Sequence, residues 1–319
     1  MSSRTLPGRA RTTPTIPQQN RPGFGRWFGS VGLRHIVGFV AVVFAAFPIV
    51  YVISASVSTK NTMTDANNLF ATFTWENYAM LGCDPALAAD TNRCAKVQYF
   101  WQWFVNSLGI SSVTAIGTVL MGAAAAYAFS RFRFTGRRFG LSALLVIQMF
   151  PQMLAFVAIL ILMTALGEVV PILGTGSAVA LVAVYLGGAL GANTFLMYGF
   201  FNSIPHSLDE AAKIDGATHA QTYWTIIVPL VIPILAVTAL LSFIGTFGEY
   251  ILASVVLGSG AQSTWTLPMG LYLLVGDSRA PELTLFSAGA AVAALPVLLL
   301  FLLLQRYIVS GLTGGAVKG

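Results

Sequence analysis

Charged side chains are scarce in this sequence. Asp, Glu, Lys and Arg make up only 9% of the 319 residues, whereas hydrophobic residues make up 56%. The mean hydropathy is +0.77. Soluble domains carry about 25% charged residues, so this composition excludes an ordinary soluble protein and indicates an integral membrane protein.

Residues that could support catalysis or metal binding are also few. The chain has three histidines and two cysteines, and no glycine-rich loop is followed by Gly-Lys-Ser/Thr. This absence excludes the common nucleotide-binding loop. No serine or cysteine within an apolar run has a neighbouring base, which argues against an intramembrane enzyme. We therefore expect no enzymatic activity, no cofactor and no metal site.

The basic residues are placed as topology signals. The net charge is +6, but many of the arginines precede the first apolar run instead of forming a patch that could bind nucleic acid. Residues 1–34 are rich in Pro, Thr, Gln and Gly and cannot build a core, so they are predicted to be a disordered basic cytoplasmic tail. The arginines of this tail are Arg4, Arg9, Arg11, Arg21, Arg26 and Arg34.

Six segments contain the roughly 20 mainly apolar residues that a helix needs to cross a bilayer. With the N-terminus in the cytoplasm, inside segments hold thirteen of the seventeen Lys and Arg. The sequence thus predicts an all-α, polytopic domain over 35–310 with six transmembrane helices and both termini inside. The segments are 36–57, 104–129, 139–166, 178–201, 224–248 and 283–309; an external loop covers 58–103, a cytoplasmic loop 202–223 and a cytoplasmic tail 311–319.

Both cysteines, Cys83 and Cys94, fall in the predicted external loop, where oxidation is possible. A bridge would close a short loop and could stabilise it, and two free thiols in an irregular insertion are the alternative. Prolines recur within the predicted spans, where they commonly mark kinks. They are Pro48, Pro151, Pro233 and Pro296.

Charges cluster in the cytoplasmic loop, in the stretch SIPHSLDEAAKIDGATHAQTYWTIIVPL. Ser207 and Glu210 have the spacing of a capping box, which predicts a helix from Leu208, and Gly216 is suited to end it two turns later. Small apolar residues beside acids indicate a helix that docks into a protein cleft, its acids facing the partner. A helix lying on the membrane surface is the alternative, but such helices usually carry more Lys and Arg.

The same stretch resembles the EAA loop of bacterial ABC importer permeases, whose pattern is E-A-A-x3-G-x9-I-x-L-P. Val228 replaces the usual Leu. The resemblance to MalFG-type carbohydrate permeases covers nearly all of the chain after residue 35, and the ending QRYIVSGLTGGAVKG is similar to the smaller, MalG-type subunits. The resemblance implies that eight residues couple this chain to an ATPase. They are Ser207, Glu210, Ala211, Ala212, Asp215, Gly216, Ile226 and Pro229.

This resemblance implies the type I ABC importer permease fold in a bacterial cell membrane. The expected partners are a larger, homologous MalF-like permease, two ATP-binding cassette subunits that hydrolyse ATP, and an extracytoplasmic sugar-binding protein. The chain would form half of the translocation pathway for a maltose or maltodextrin-type sugar. The tail is expected to follow an extended path into the ATPase dimer interface, with contacts from Gly311, Leu312, Thr313, Gly314 and Gly315.

Glu249 is the one acid that lies beside a predicted span and outside the predicted loops with defined bounds. A carboxylate facing lipid is costly, so Glu249 is expected to face the pathway or the partner permease, unless it already lies in the external headgroup region. Another cargo, such as trehalose or a different oligosaccharide, is the alternative within the same class. An ion-coupled secondary transporter is disfavoured because no internal repeat is visible and Glu249 is the one ionisable residue near mid-membrane, where such transporters need several.

Overall fold

The structure is a computed structural model that describes residues 28, 32–60, 69–276 and 281–316, without the side chains of 152–153 and 308–316. Every regular element in these ranges is helical. The chain divides into two units, residues 1–50 and 51–319. The predicted tail 1–34 lies almost entirely outside the described residues.

The described ranges contain the helices that are given below in chain order. Five of them, α1, α4, α7, α10 and α13, are long and apolar enough to cross a bilayer. The bounds are α1 (Leu33–Ser56), α2 (Glu76–Met80), α3 (Thr91–Val97), α4 (Phe100–Arg131), α5 (Arg137–Gln148), α6 (Gln152–Val169), α7 (Ala178–Ser203), α8 (Ser207–Ile214), α9 (His219–Gln221), α10 (Val228–Phe247), α11 (Ile251–Leu257), α12 (Leu267–Gly276) and α13 (Leu283–Ala316).

The predicted third span, 139–166, is two helices instead of one. Helix α5 ends at Gln148 and α6 begins at Gln152, with Pro151 in an extended conformation between them. Proline lacks the amide that would continue the helical ladder and disfavours helical geometry at the residue before it, so the kink expected at Pro151 is a complete break. The Gln148 side chain donates to the Gly188 carbonyl of α7 over 3.1 Å and supports this break.

Helix α4 lies at the centre of the packing, and small residues let α7 approach it. A Cβ added at Gly117 would lie 2.8 Å from Leu186, and one at Gly122 would lie 3.4 Å from the sulfur of Met197. Close backbone approach through small residues is a common way for membrane helices to associate. The pair α4 and α7 therefore forms a rigid support for the loops at its ends.

Two buried clusters lie at opposite ends of α4. The cluster at its start includes Phe100, Trp103 and Leu271. The cluster at its other end includes Tyr127 and, from the segment after α8, Tyr223. The second cluster fixes the loop that carries the EAA pattern against the end of α4.

The predicted external loop contains two short helices, α2 and α3, and a disulfide that joins Cys83 to Cys94. Arg93 and Lys96 of α3 form ion pairs with Glu282, at 3.1 and 3.3 Å. The loop is thus attached to the start of α13.

The extended path expected for the tail is wrong for most of it. Helix α13 continues through residues 311–315 and ends at Ala316, while 317–319 lie outside the described residues. A helix already nucleated by an apolar run gains one hydrogen bond for each added residue, which offsets the helix-weakening effect of the glycines.

Candidate functional site

The EAA stretch forms the short helix α8, whose start differs from the prediction. His206 occupies the position before the helix with helical backbone angles, and no side chain caps it. The Leu208 and Asp209 amides bond to the carbonyls of Pro205 and His206. Because the chain already turns at Pro205, Ser207 lies inside the helix, and the capping box predicted for Ser207 and Glu210 is wrong.

The end of α8 matches the prediction. Gly216 has φ of 78°, the left-handed conformation that glycine adopts at low cost. The Ala217 amide bonds to the Ala212 carbonyl at 2.9 Å and the Gly216 amide bonds to the Lys213 carbonyl at 3.1 Å. These two bonds form a Schellman motif, which satisfies the last carbonyls and fixes the direction in which the chain leaves the helix.

The inner face of α8 is held by its own subunit. The Asp209 carboxylate lies 3.0 Å from Nε of Arg131, the last residue of α4, and the two side chains are 15% and 4% exposed. Arg131 also donates to the Ile204 carbonyl at 3.2 Å. Ala212 is only 3% exposed. The expectation that the acids of this stretch face a partner is therefore wrong for Asp209.

The outer face of α8 is uncovered. Ser207, Glu210, Ala211 and Ile214 follow the i, i+3, i+4, i+7 spacing of one helical face, and all four are exposed. Ile214 is 86% exposed. In the part of the chain that the structure describes, the Glu210 carboxylate makes no hydrogen bond or ion pair. This face therefore combines an apolar side chain with an acid that has no partner in the described ranges.

A second short helix links α8 to α10. Thr218 and Gln221 form a reciprocal capping box at the start of α9, so the box lies eleven positions after the predicted one. Residues 222–227 then form a π-helical turn, in which the Val228 amide bonds to the Tyr223 carbonyl. Pro229 has no amide to offer the Thr225 carbonyl, which explains why the ordinary ladder is interrupted there.

Aromatic contacts join this link to α4. The Tyr127 and Tyr223 rings lie 4.9 Å apart, and the Phe132 and His219 rings lie 5.3 Å apart. Ile226 packs against the same buried cluster, whereas Pro229 is exposed. Ile226 and Pro229 therefore belong to the connection with α10 and not to the exposed face of α8.

Glu249 has three partners within the subunit. Its carboxylate accepts hydrogen bonds from the Leu252 and Ala253 amides, at 2.7 and 2.9 Å, and from the Tyr185 hydroxyl, at 2.7 Å. It therefore holds the start of α11 against α7. Tyr185 lies on another helix, so no local sequence pattern links it to Glu249.

Comparison with known proteins identifies the chain's family. The sequence pattern of the family described as "Binding-protein-dependent transport system inner membrane component" matches residues 118–314, most of the chain. The chain belongs to this family. It is a membrane-embedded permease subunit of an ABC importer, and ATP hydrolysis in such systems is carried out by separate subunits.

Several relatives of this permease match over nearly their full length. The galactooligosaccharides transport system permease protein GanQ of Bacillus subtilis (strain 168) is 37% identical over 284 residues, which cover 89% of this chain and 94% of GanQ. The maltose/maltodextrin transport system permease protein MalG of Escherichia coli (strain K12) is 34% identical over 292 residues, which cover 90% of this chain and 95% of MalG.

A solved structure supports the fold of the permease. A chain from the crystal structure of a bacterial ABC transporter involved in the import of the acidic polysaccharide alginate matches with a TM-score of 0.70. The match covers 92% of this chain and 99% of that chain at 22% identity. The expected type I importer permease fold is confirmed.

The permease's predicted site residues lie in three places. Ser207, Glu210 and Ala211 lie on the exposed face of α8, next to its glycine end at Gly216. Ala212 lies on the inner face, and Ile226 and Pro229 lie in the link to α10. Sequence reasoning missed Arg131, which had been counted only as a topology signal, and its ion pair with Asp209 has no local sequence signature.

Proposed function

We propose that this chain is the MalG-like permease of a carbohydrate importer whose cargo is a maltose or maltodextrin-type oligosaccharide. The MalG relatives and the similar C-terminal sequence support this cargo. GanQ, at 37% identity, favours a galactooligosaccharide as the second candidate. Trehalose remains an alternative within the same class.

The observation that carries the coupling role is the contrast between the two faces of α8. The inner face is tied to α4 by the Asp209–Arg131 ion pair, whereas the outer face exposes Ile214 and Glu210, whose carboxylate has no partner among the described residues. A protein cleft with an apolar wall and a basic side chain would match the outer face. The cytoplasmic surface of the bilayer would repel Glu210 and Asp215, because it is negatively charged.

The second step is transmission of movement from α8 to the spans. The Schellman end at Gly216, the capping box at Thr218 and the ring contact between Tyr127 and Tyr223 leave few free torsions between α8 and its neighbours. A push on α8 would therefore move the ends of α4, α7 and α10 as one body. Closure of an ATPase dimer would supply that push and drive alternating access.

The assembly follows from this role. One permease of this type supplies half of a pathway, so a larger, MalF-like permease would supply the other half. Two ATP-binding cassette subunits would bind below, one of them on the outer face of α8. An extracytoplasmic sugar-binding protein would deliver the cargo.

The cargo is tested by the ATPase activity of the complete complex in liposomes. Maltose, maltotriose, a galactooligosaccharide and trehalose would each be added with the cognate binding protein. We expect maltodextrins to stimulate hydrolysis most strongly. Stimulation by the galactooligosaccharide alone would replace the first cargo by the second. Sugar uptake driven by an ion gradient in the absence of ATP would reject the class.

The docking face is tested with two equally exposed aliphatic residues. Ile214 and Leu87 are both 86% exposed, but Leu87 lies in the external loop. Ile214→Thr should weaken copurification of the ATPase subunits, whereas Leu87→Thr should leave it unchanged. Equal retention of the ATPase in both variants would contradict the proposed docking face.

A further inference from the structure

The loop between α4 and α5, taken together with the first three residues of α5, combines basic and aromatic residues. It has the sequence FRFTGRRF, residues 132–139, and its three arginines are Arg133, Arg137 and Arg138. Phe139 is 79% exposed. The coupling role proposed above does not use this loop.

The loop is folded in a defined way. Gly136 has φ of 87° and turns the chain immediately before α5. The Phe134 ring lies 5.6 Å from the Phe129 ring of α4, so the loop bends back over the end of that helix. Residues 133–139 line an open cavity of about 610 Å³. The loop thus presents a concave surface with arginines around it.

Among the described residues, no ion pair neutralises the positive charge of this surface. Arg137 donates to the Tyr198 hydroxyl at 3.1 Å, a neutral group. Arg133 and Arg138 form no ion pair within the described part of the chain. Asp209 and Glu210 line a neighbouring cavity together with Arg133, but the Asp209 carboxylate is bound by Arg131.

The position of the loop relative to the membrane follows from the neighbouring helices α4 and α8. It starts directly after the last residue of the membrane-spanning α4, and the Arg131–Asp209 ion pair places it on the same side as α8, the predicted cytoplasmic side. Arginines and exposed aromatic rings at the end of a span are suited to the headgroup layer. The cytoplasmic leaflet is rich in anionic lipid, which attracts basic segments.

We propose that residues 132–139 form a binding site for anionic phospholipid headgroups. Arg133, Arg137 and Arg138 contact the lipid phosphates, and the Phe139 ring enters the boundary between headgroups and acyl chains. Arg131, which holds Asp209 of α8, is two residues from Arg133. Bound lipid therefore steadies the anchor of α8, and this proposal does not depend on the identity of the sugar.

The test uses the complete complex in nanodiscs that contain a trace of photoreactive lipid. Wild type is labelled with a photoreactive phosphatidylglycerol or, separately, with the matching phosphatidylcholine, and labelled peptides are identified by mass spectrometry. We expect residues 132–148 to be labelled by the anionic probe and at least about tenfold less by the zwitterionic one, since each of the three arginines contributes up to roughly a fivefold preference near a charged surface.

Variants separate lipid binding from a general loss of charge. Arg133→Gln/Arg138→Gln should lose labelling by the anionic probe, Arg133→Lys/Arg138→Lys should retain most of it, and Arg306→Gln, at the cytoplasmic end of α13, should not change it. Equal labelling of wild type by both probes would overturn the proposal. Unchanged labelling of the glutamine variant with loss of ATPase copurification would overturn it in favour of an acidic protein partner.

Discussion

Nε of Arg131 lies 3.0 Å from a carboxylate oxygen of Asp209 and thereby joins the end of the membrane-spanning helix α4 to α8. Both side chains are largely buried in the subunit. When one member of a buried ion pair is removed, the other is left as an uncompensated buried charge. The pair is therefore a mechanical link whose two ends depend on each other.

Asp209→Asn should destabilise the complex and loosen coupling. Loss of one member of such a pair costs about 3 kcal/mol, so the melting temperature of the complex should fall, and less sugar should enter per ATP hydrolysed. The reversed pair Arg131→Asp/Asp209→Arg should recover part of both quantities. A melting temperature and an uptake ratio equal to wild type in Asp209→Asn would contradict the link.

Gly216→Val should tilt the chain after α8, because a β-branched residue opposes φ of 78°. An added Cβ would meet nothing within 4 Å, so the penalty is in the backbone alone, about 1–2 kcal/mol. Gly216→Asn is the matched control, since asparagine tolerates this conformation better. Uptake and hydrolysis in liposomes should fall in the valine variant and be largely kept in the asparagine variant. The reverse order would contradict the prediction.

Glu249→Gln should lower transport and leave assembly intact. The amide has one acceptor oxygen where the carboxylate has two, so it cannot serve both backbone amides and Tyr185 as well. Tyr185→Phe removes only the hydroxyl contact and should have the smaller effect. Uptake at limiting sugar is the measurement. If uptake is unchanged in Glu249→Gln, the interpretation that Glu249 simply lies in the headgroup region is preferred over a role in the pathway.

Removal of residues 311–319 should weaken transport or its coupling to ATP hydrolysis. The reason is the proposed contact of Gly311, Leu312, Thr313, Gly314 and Gly315 with the ATPase dimer, now as an extension of α13. The apolar part of α13 is untouched, so the truncated chain should still enter the membrane. The measurement is ATP hydrolysis and sugar uptake in the same liposomes. Wild-type values for both would exclude the contact.

Apolar length was sufficient to predict the spans, because the bilayer imposes a minimum run of apolar residues. It was not sufficient to predict the break at Pro151. An apolar run that contains a proline is compatible with either a kinked helix or two helices, and the outcome depends on neighbours such as Gly188, whose carbonyl binds Gln148. The glycine end of α8 was predictable since it rests on one residue's backbone preference, that of Gly216.

The start of α8 was mispredicted because two similar signals occur in one stretch. Ser207 and Glu210 have the spacing of a capping box, but so do Thr218 and Gln221, where the box forms. The choice depends on Pro205, which starts the turn early. The Arg131–Asp209 pair could not be predicted for a different reason, since a contact between distant segments leaves no local sequence pattern.

Docking of the outer face of α8 onto an ATPase subunit can be measured with two adjacent alanines. Ala211 is exposed on that face, whereas Ala212 is 3% exposed on the inner one. The native cysteines are joined in a disulfide, so Ala211→Cys or Ala212→Cys would each introduce a single free thiol. With a short thiol-to-amine cross-linker in the assembled complex, Ala211→Cys should be joined to the ATPase subunit and Ala212→Cys should not. No cross-link from Ala211→Cys, or equal cross-links from both variants, would contradict docking of the outer face of α8 onto the ATPase.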